Sequence, residues 1–304
     1  MHALESTSLS SRVSTELRMS ERLFLRLPDD PPCTPETTVP ASTLREFAVP
    51  AALRSALAHV TAYEERFAQG SEVVERVLPD GAARLLIVLQ RGAASIHVAG
   101  ASAGPVVLTM RGHMQGLSIT LRPGATLRLF GVPADELAGR TVRWDDIVDK
   151  AHRDLPEQLA ATVDDAARVD HVVQSLRALQ RPSAPASLRL VEHAAGHLRA
   201  QAGDISVRAL AATMNLSERR LQQMFASQVG LTPSVWRRLQ RLHGTLRLLR
   251  TAKAPHWAEV ALRAGYYDQS HLINEFRALC GLTPQQFLRR VVSDSSNTTV
   301  GPHG

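Results

Sequence analysis

Lysine and cysteine are scarce in this sequence: 304 residues contain only Lys150, Lys253, Cys33 and Cys280 of these two types. A GC-rich genome replaces lysine by arginine of its own accord, so the abundance of arginine says little about nucleic acid. The cysteines lie far apart in segments of different character, which excludes a disulfide framework and fits a reducing cytoplasm. No uncharged apolar run reaches the roughly eighteen residues of a membrane-spanning helix. Ser, Thr and Arg interrupt the N-terminal stretch, so no secretory signal is expected. Also missing are Gly-x-Ser-x-Gly, a phosphate loop, a dinucleotide glycine pattern and His-Glu-x-x-His. Asp145-Asp146 and Asp164-Asp165 are adjacent pairs, which point apart on a helix. His97 and His113 fall in separate strand regions, and His193 and His197 have no third ligand nearby. The expectation is a protein that is not an enzyme and holds neither metal nor cofactor.

Charge is present and unevenly placed. Residues 185–292 carry 15 basic and 6 acidic side chains, whereas residues 1–184 carry 20 and 22. One segment is basic and the rest is not, the footprint of a nucleic-acid-binding domain joined to a neutral partner. A basic surface without function would have the same composition, so the motifs must decide.

Residues 1–43, rich in Ser, Thr and Pro, read as a disordered segment with a short amphipathic turn around 23–27. A globular domain is expected over 44–180. Its first element reads as a helix over 51–59, and Leu85-Leu86-Ile87-Val88-Leu89 reads as a buried strand. Short apolar stretches at 95–98, 106–110, 117–121 and 126–130 suggest further strands of a small barrel or sandwich. Residues 154–179 read as one helix, with Leu155, Leu159, Val163, Ala166, Val169, Val173 and Leu176 near one face. Residues 181–187 are a proline-bearing linker, 188–291 a helical domain and 292–304 a disordered tail. The fold class is α+β with two domains, the first β-rich and the second all-α.

The helical domain contains an internal repeat. Gly230-Leu231-Thr232-Pro233 matches Gly281-Leu282-Thr283-Pro284, and the same offset pairs Leu221 with Leu272, Phe225 with Phe276 and Trp236 with Phe287. In each copy a short helix, 207–214 or 257–264, is followed by a tight turn and a capping residue, Ser217 or Asp268. The second helices, 218–229 and 269–280, turn Leu221, Met224, Phe225, Leu272 and Phe276 inward. They leave Arg219, Gln222 and Gln223 outward in the first copy, and Gln269, Ser270, His271, Asn274 and Arg277 in the second. Two helices joined by a tight turn are the helix-turn-helix arrangement. Arginine can bind guanine O6 and N7 together, and glutamine or asparagine can do the same for adenine N6 and N7. The helix over 233–250 spans roughly 27 Å at 1.5 Å per residue, enough to hold two reading helices near one DNA turn apart. Of its arginines, Arg237, Arg238, Arg241, Arg247 and Arg250, those on the exposed side would contact phosphates. Trp236 and Trp257 sit on apolar helix faces and read as core, and Cys280 as a small buried hydrophobe.

Residues 188–290 resemble the DNA-binding domain of the AraC/XylS family of bacterial regulators. The matching segments are Ser206-Val207-Arg208-Ala209-Leu210-Ala211, Leu216-Ser217-Glu218-Arg219-Arg220-Leu221 and Val260-Ala261-Leu262-Arg263-Ala264-Gly265-Tyr266, then Asp268-Gln269-Ser270-His271-Leu272, Phe276-Arg277, Gly281-Leu282-Thr283-Pro284 and Phe287. The resemblance implies that Arg219, Gln222 and Gln223 read one groove, that Gln269, Ser270 and Asn274 read the next, and that Arg277 contacts backbone. The family often has Arg where this chain has Asn274. Val77-Leu78-Pro79-Asp80-Gly81, Leu121-Arg122-Pro123-Gly124 and 130–137 resemble a sensor-type domain often fused to this DNA-binding domain. Its pattern has Cys where this chain has Ala82, which excludes a thiol role there. By analogy the fold expected of it is cupin-like. Implied partners are double-stranded promoter DNA, RNA polymerase, a small-molecule effector and a second copy of the chain. The implied function is a cytoplasmic transcription regulator, more an activator than a repressor. A helical protein-interaction module without DNA binding is the alternative; polar rather than apolar outward residues on both second helices speak against it.

Overall fold

The computed structural model describes residues 21–27, 30, 34, 37–181, 186–200, 205–251 and 255–297. The N-terminal half is built from two sheets. Its strands are β1 (Glu21–Phe24), β2 (Leu44–Phe47), β3 (Leu57–Arg66), β4 (Glu72–Val77), β5 (Arg84–Gln90), β6 (Ala93–Ala99), β7 (Val106–Arg111), β8 (His113–Leu121) and β9 (Thr141–Arg143). Six of them form an antiparallel sheet in the order β2-β3-β8-β5-β6-β9, and three form a smaller sheet in the order β1-β4-β7. The helices α1 (Ala125–Phe130), α2 (Ala134–Leu137), α3 (Leu155–Ala161) and α4 (Asp165–Leu179) complete this half.

The large sheet owes its register to period-two patterning. Leu85, Ile87 and Leu89 on β5 and Leu117, Ile119 and Leu121 on β8 point to one buried face, covered by Leu129, Leu155, Leu159, Val172 and Leu176 of the helices. Gly116 is required where β8 passes β5: a Cβ there would lie 2.0 Å from the Ile87 carbonyl oxygen. Trp144 is buried beneath this layer, donating its indole N–H to the His152 carbonyl at 2.7 Å and standing edge-on to Phe130.

Several expectations for this half need correction. Residues 51–59 are not a helix; a short 3-10 turn, Ala51–Leu53, leads into β3, where Leu57 and, beyond a register shift, Val60 and Ala62 point into the core. The stretch 126–130 is not a strand but α1, bracketed by Gly124 and Gly131, both with left-handed φ of 77° and 72°, and closed by the Gly131 N–H on the Leu127 carbonyl. The single helix expected over 154–179 is two. Thr162 ends α3, and Asp164 caps α4 by accepting from the Ala167 N–H at 2.9 Å. Val163 lies in that break, 89% exposed rather than on the apolar ladder.

The C-terminal half is helical: α5 (Ala186–Ala200), α6 (Val207–Thr213), α7 (Glu218–Val229), α8 (Pro233–Thr251), α9 (Trp257–Arg263), α10 (Gln269–Cys280) and α11 (Pro284–Asn297). Most of the expected linker lies outside the described residues. The segment expected to be a tail is helical as far as Asn297.

The largest departure concerns the segment read as disordered. Over its described part, Leu23, Leu25 and Leu27 are almost wholly buried, and the core they join is that of the helical half, with Leu198, Phe225, Leu242, Leu246 and Phe276. β1 pairs in parallel with β4, and Asp30 holds the Arg250 guanidinium through two contacts of 3.0 and 2.8 Å. Apolar burial and a charged clasp outweigh the turn-rich composition that suggested disorder.

Candidate nucleic-acid interface

The two repeated units have the same local causes. In the first, Ser206 caps α6 by accepting from the Ala209 N–H at 3.1 Å, and Ser217 caps α7 by accepting from the Arg220 N–H at 3.2 Å. In the second, the Asp268 carboxylate accepts from the His271 N–H at 2.7 Å and starts α10. Each turn passes through one left-handed residue, Asn215 (φ 53°) or Gly265 (φ 78°). Each is also closed by the same long backbone bond, Leu216 N–H to Ala211 carbonyl and Tyr266 N–H to Ala261 carbonyl, both 2.9 Å.

The repeat is not uniform. α6 and α9 each have seven residues and start at Val207 and Trp257; α7 and α10 each have twelve and start at Glu218 and Gln269. The second turn is therefore one residue longer, and the extra residue is Tyr267, 87% exposed. An aromatic pair repeats as well. Phe225 meets Trp236 edge-on at 5.9 Å, and Phe276 meets Phe287 at 5.5 Å. Trp236 is buried, as its apolar helix face suggested, while Trp257 is half-buried against the same core.

On the outer face of α7, Arg219, Gln222 and Gln223 are all exposed. Gln222 leans on Glu218, its amide donating to the carboxylate at 3.2 Å. On α10, Gln269, Ser270, Asn274 and Arg277 are exposed. Arg219 and Gln223 stand four residues apart, as do Ser270 and Asn274, and these two pairs hold equivalent places in the repeat. The side chains of Arg219, Gln223, Ser270, Asn274 and Arg277 have no hydrogen-bond or ion-pair partner among the described residues. His271 differs. Its ring is half-buried, accepts from the Tyr267 N–H at 3.3 Å, packs edge-on against Tyr266 at 5.3 Å and lies 3.6 Å from Glu275. These contacts turn it back toward its own unit.

The helix between the units, α8, has nineteen residues and packs against elements of both. Its arginines mostly serve the fold. Arg238 and Arg241 donate to Glu275 on α10, Arg237 donates to the Ile205 carbonyl at 3.3 Å, and Arg250 holds Asp30. Arg241 also lies over the Tyr266 ring, 5.3 Å from its centroid. Only Arg247 of the five is exposed. The anchoring role of Glu275 escaped sequence reading, although it is one of few acids in the basic segment. Burial pushes the phenol of Tyr266 and the thiol of Cys280 well above their ordinary ranges, so both stay neutral. No helix among the described residues is long and apolar enough to cross a membrane.

Residues 210–290 match the family model of a helix-turn-helix domain, and residues 45–143 match that of a domain of unknown function. No curated protein matches the chain. Among solved structures, the C-terminal domain of AraT, a response regulator from Geobacillus stearothermophilus, is 22% identical over 36% of this chain and 88% of that one, with a TM-score of 0.32. ToxT from Vibrio cholerae is 10% identical over 76% of this chain and 98% of its own, with a TM-score of 0.41. The same figures, with 99% of the relative covered, hold for ToxT bound to (E)-4-(8-methylnaphthalen-1-yl)but-3-enoic acid. Residues 210–290 thus match a helix-turn-helix domain, carried behind a β-rich half whose matching family has no assigned role.

Proposed function

We propose that the protein is a sequence-specific transcription regulator that places α7 and α10 in two successive segments of the DNA major groove. The observation that carries this reading is the pair of equivalent, exposed, polar edges with no partners within the described chain: Arg219 with Gln223, and Ser270 with Asn274. A surface evolved for a protein partner would carry apolar anchors at its centre; these edges carry donors of the kind that recognise base edges. Arg219 suits guanine, Gln222, Gln223 and Asn274 suit adenine, and Gln269 and Ser270 extend the second edge. Arg277, at the outer side of α10, suits a phosphate. His271 contributes through the shape of the second turn more than by reaching DNA.

In this reading the β-rich half modulates DNA binding, through an effector or a second copy of the chain, and the regulator acts in the cytoplasm by activating RNA polymerase at the promoter. The test is a mobility shift on genomic fragments selected by the wild-type chain, repeated with Arg219→Ala. Loss of site selectivity, with weak binding retained at low salt, is the expected result. An unchanged shift removes Arg219 from the readout, and no shift with any duplex at low salt leaves the interaction-module reading in its place.

A further inference from the structure

The C-terminal ends of both reading helices rest on the β-rich half. α7 ends at Gly230 and α10 at Gly281, the two glycines that the repeat makes equivalent, each with left-handed φ. A Cβ on Gly230 would lie 2.9 Å from the Ala134 carbonyl oxygen of α2, and a Cβ on Gly281 would lie 2.6 Å from the Arg76 guanidinium of β4. Within two residues of each glycine, a donor from the β-rich half satisfies a carbonyl in the last turn. The Gly124 N–H donates to the Gln228 carbonyl at 2.7 Å, and Arg76 Nη1 donates to the Cys280 carbonyl at 3.4 Å. These carbonyls have no partner inside their helices and carry the negative end of the helix dipole. Arg76 is itself held by Glu21 on β1, which also pairs with Arg290 on α11.

We infer that the β-rich half is a second bracket, beside α8, that sets the spacing and angle between the two reading helices, and that Arg76 is a positioning residue for the α10 end of that bracket. The inference rests on the DNA-binding reading above and adds a determinant of specificity to it. Three features carry it. The contacts fall at the same end of both helices, around the equivalent glycines Gly230 and Gly281. They come from separate elements of one half, α1 and α2 for α7 and β4 for α10. They also lie at the ends of the helices remote from Arg219 and Ser270, so the bracket can remain in place while those residues read DNA. One rod, α8, joins the units, but two attachment regions are needed to resist rotation about it. Loosening Arg76 frees the α10 unit to swing and leaves its outward side chains untouched.

The experiment is selection of duplexes from a random library by the full chain and by Arg76→Ala, with sequencing of the bound fraction. Wild type is expected to enrich two sequence blocks at a single separation, near one helical turn. Arg76→Ala is expected to enrich the same two blocks at separations spread over neighbouring base-pair steps. On the wild-type site with one base pair inserted between the blocks, the affinity penalty should shrink by roughly fivefold or more, the lower end of coupling between sites. The same single separation for both proteins overturns the bracket and leaves DNA reading intact. Failure of the wild type to enrich any sequence sinks the DNA-binding reading and the bracket with it. If Arg76→Ala does not fold, Glu21→Gln decides: it keeps Arg76 but removes a charge that orients it. A broadened separation in that variant supports the inference, and an unchanged one refutes it.

Discussion

Arg241 and Glu275 form a two-pronged pair between α8 and α10, with one guanidinium nitrogen 2.9 and 2.8 Å from the two carboxylate oxygens. Arg241 is only 9% exposed and Glu275 13%. The second helix-turn-helix unit is therefore fastened to the rod by a largely desolvated charge pair, with Arg238 adding a third contact of 3.0 Å.

Glu275→Ala should accordingly destabilise the protein by about 3–5 kcal/mol, because it leaves Arg241 buried without a counter-charge. Denaturant unfolding measures this. A loss below about 1 kcal/mol, the range of an exposed ion pair, would show that the pair is not closed to water. The reverse change, Arg241→Met, should cost less, since Glu275 keeps its 3.0 Å contact with Arg238 and is not left without a counter-charge.

Asn274→Arg should alter base preference more than affinity. Asparagine matches adenine and arginine matches guanine, so the base opposite residue 274 should change from A to G in selected sites. Arg219→Ala should cost about 1–3 kcal/mol on the preferred site and relax preference at one position. Unaltered selected sequences in both variants would remove these two residues from the readout.

Stability should fall on mild acidification because of His243. This side chain is fully buried on α8 and bonded through Nε2 to the Pro79 carbonyl at 3.0 Å, and burial holds its pKa at about 4, against the ordinary 6.5. The folded state thus refuses a proton that the unfolded chain accepts. Between pH 6.5 and 4 the unfolded state binds more protons, so this contribution is present above pH 6.5 and is lost as pH falls, by up to about 1.4 kcal/mol per pH unit. Unfolding measured at pH 7 and pH 5 should show a smaller drop for His243→Gln than for the wild type. Equal drops would mean that other groups carry the acid sensitivity.

Leu25→Ala should cost about 2–5 kcal/mol, as expected for a large-to-small change in a packed core. Leu25 is 1% exposed among residues of the helical half. A change within a few tenths of a kcal/mol would return the N-terminal segment to the disordered state its composition suggested.

The helical half was legible because its signals are local. Ser217, Asp268, Gly230 and Gly281 mark helix ends by short-range chemistry, and α7 and α10 have the bounds the sequence suggested. The β-rich half was read less well for the opposite reason. In 125–130, six residues between two glycines fit both periods, and only the fold selects the helix. Leu23, Leu25 and Leu27 alternate as a strand should, yet the surfaces that bury them are far away in sequence, on β4 and the C-terminal helices. The outward residues of α7 and α10 were identifiable from periodicity. The fixed role of His271 was not, because it depends on Tyr266 and on the extra turn residue Tyr267. The arginines of α8 mislead in a similar way, since composition cannot tell a phosphate ligand from a partner for Glu275.

The union of β1 with the helical core also dictates when this protein can finish folding. Glu21 leaves the ribosome well before its partner Arg290, which is made roughly 270 residues afterwards, a delay on the order of ten seconds to a minute at ordinary elongation rates. Throughout that interval Leu23, Leu25 and Leu27 lack their final neighbours. Translation halted before α8 would release a nascent chain with β1 uncovered and sticky, a natural client for holdase chaperones and a target for proteolysis.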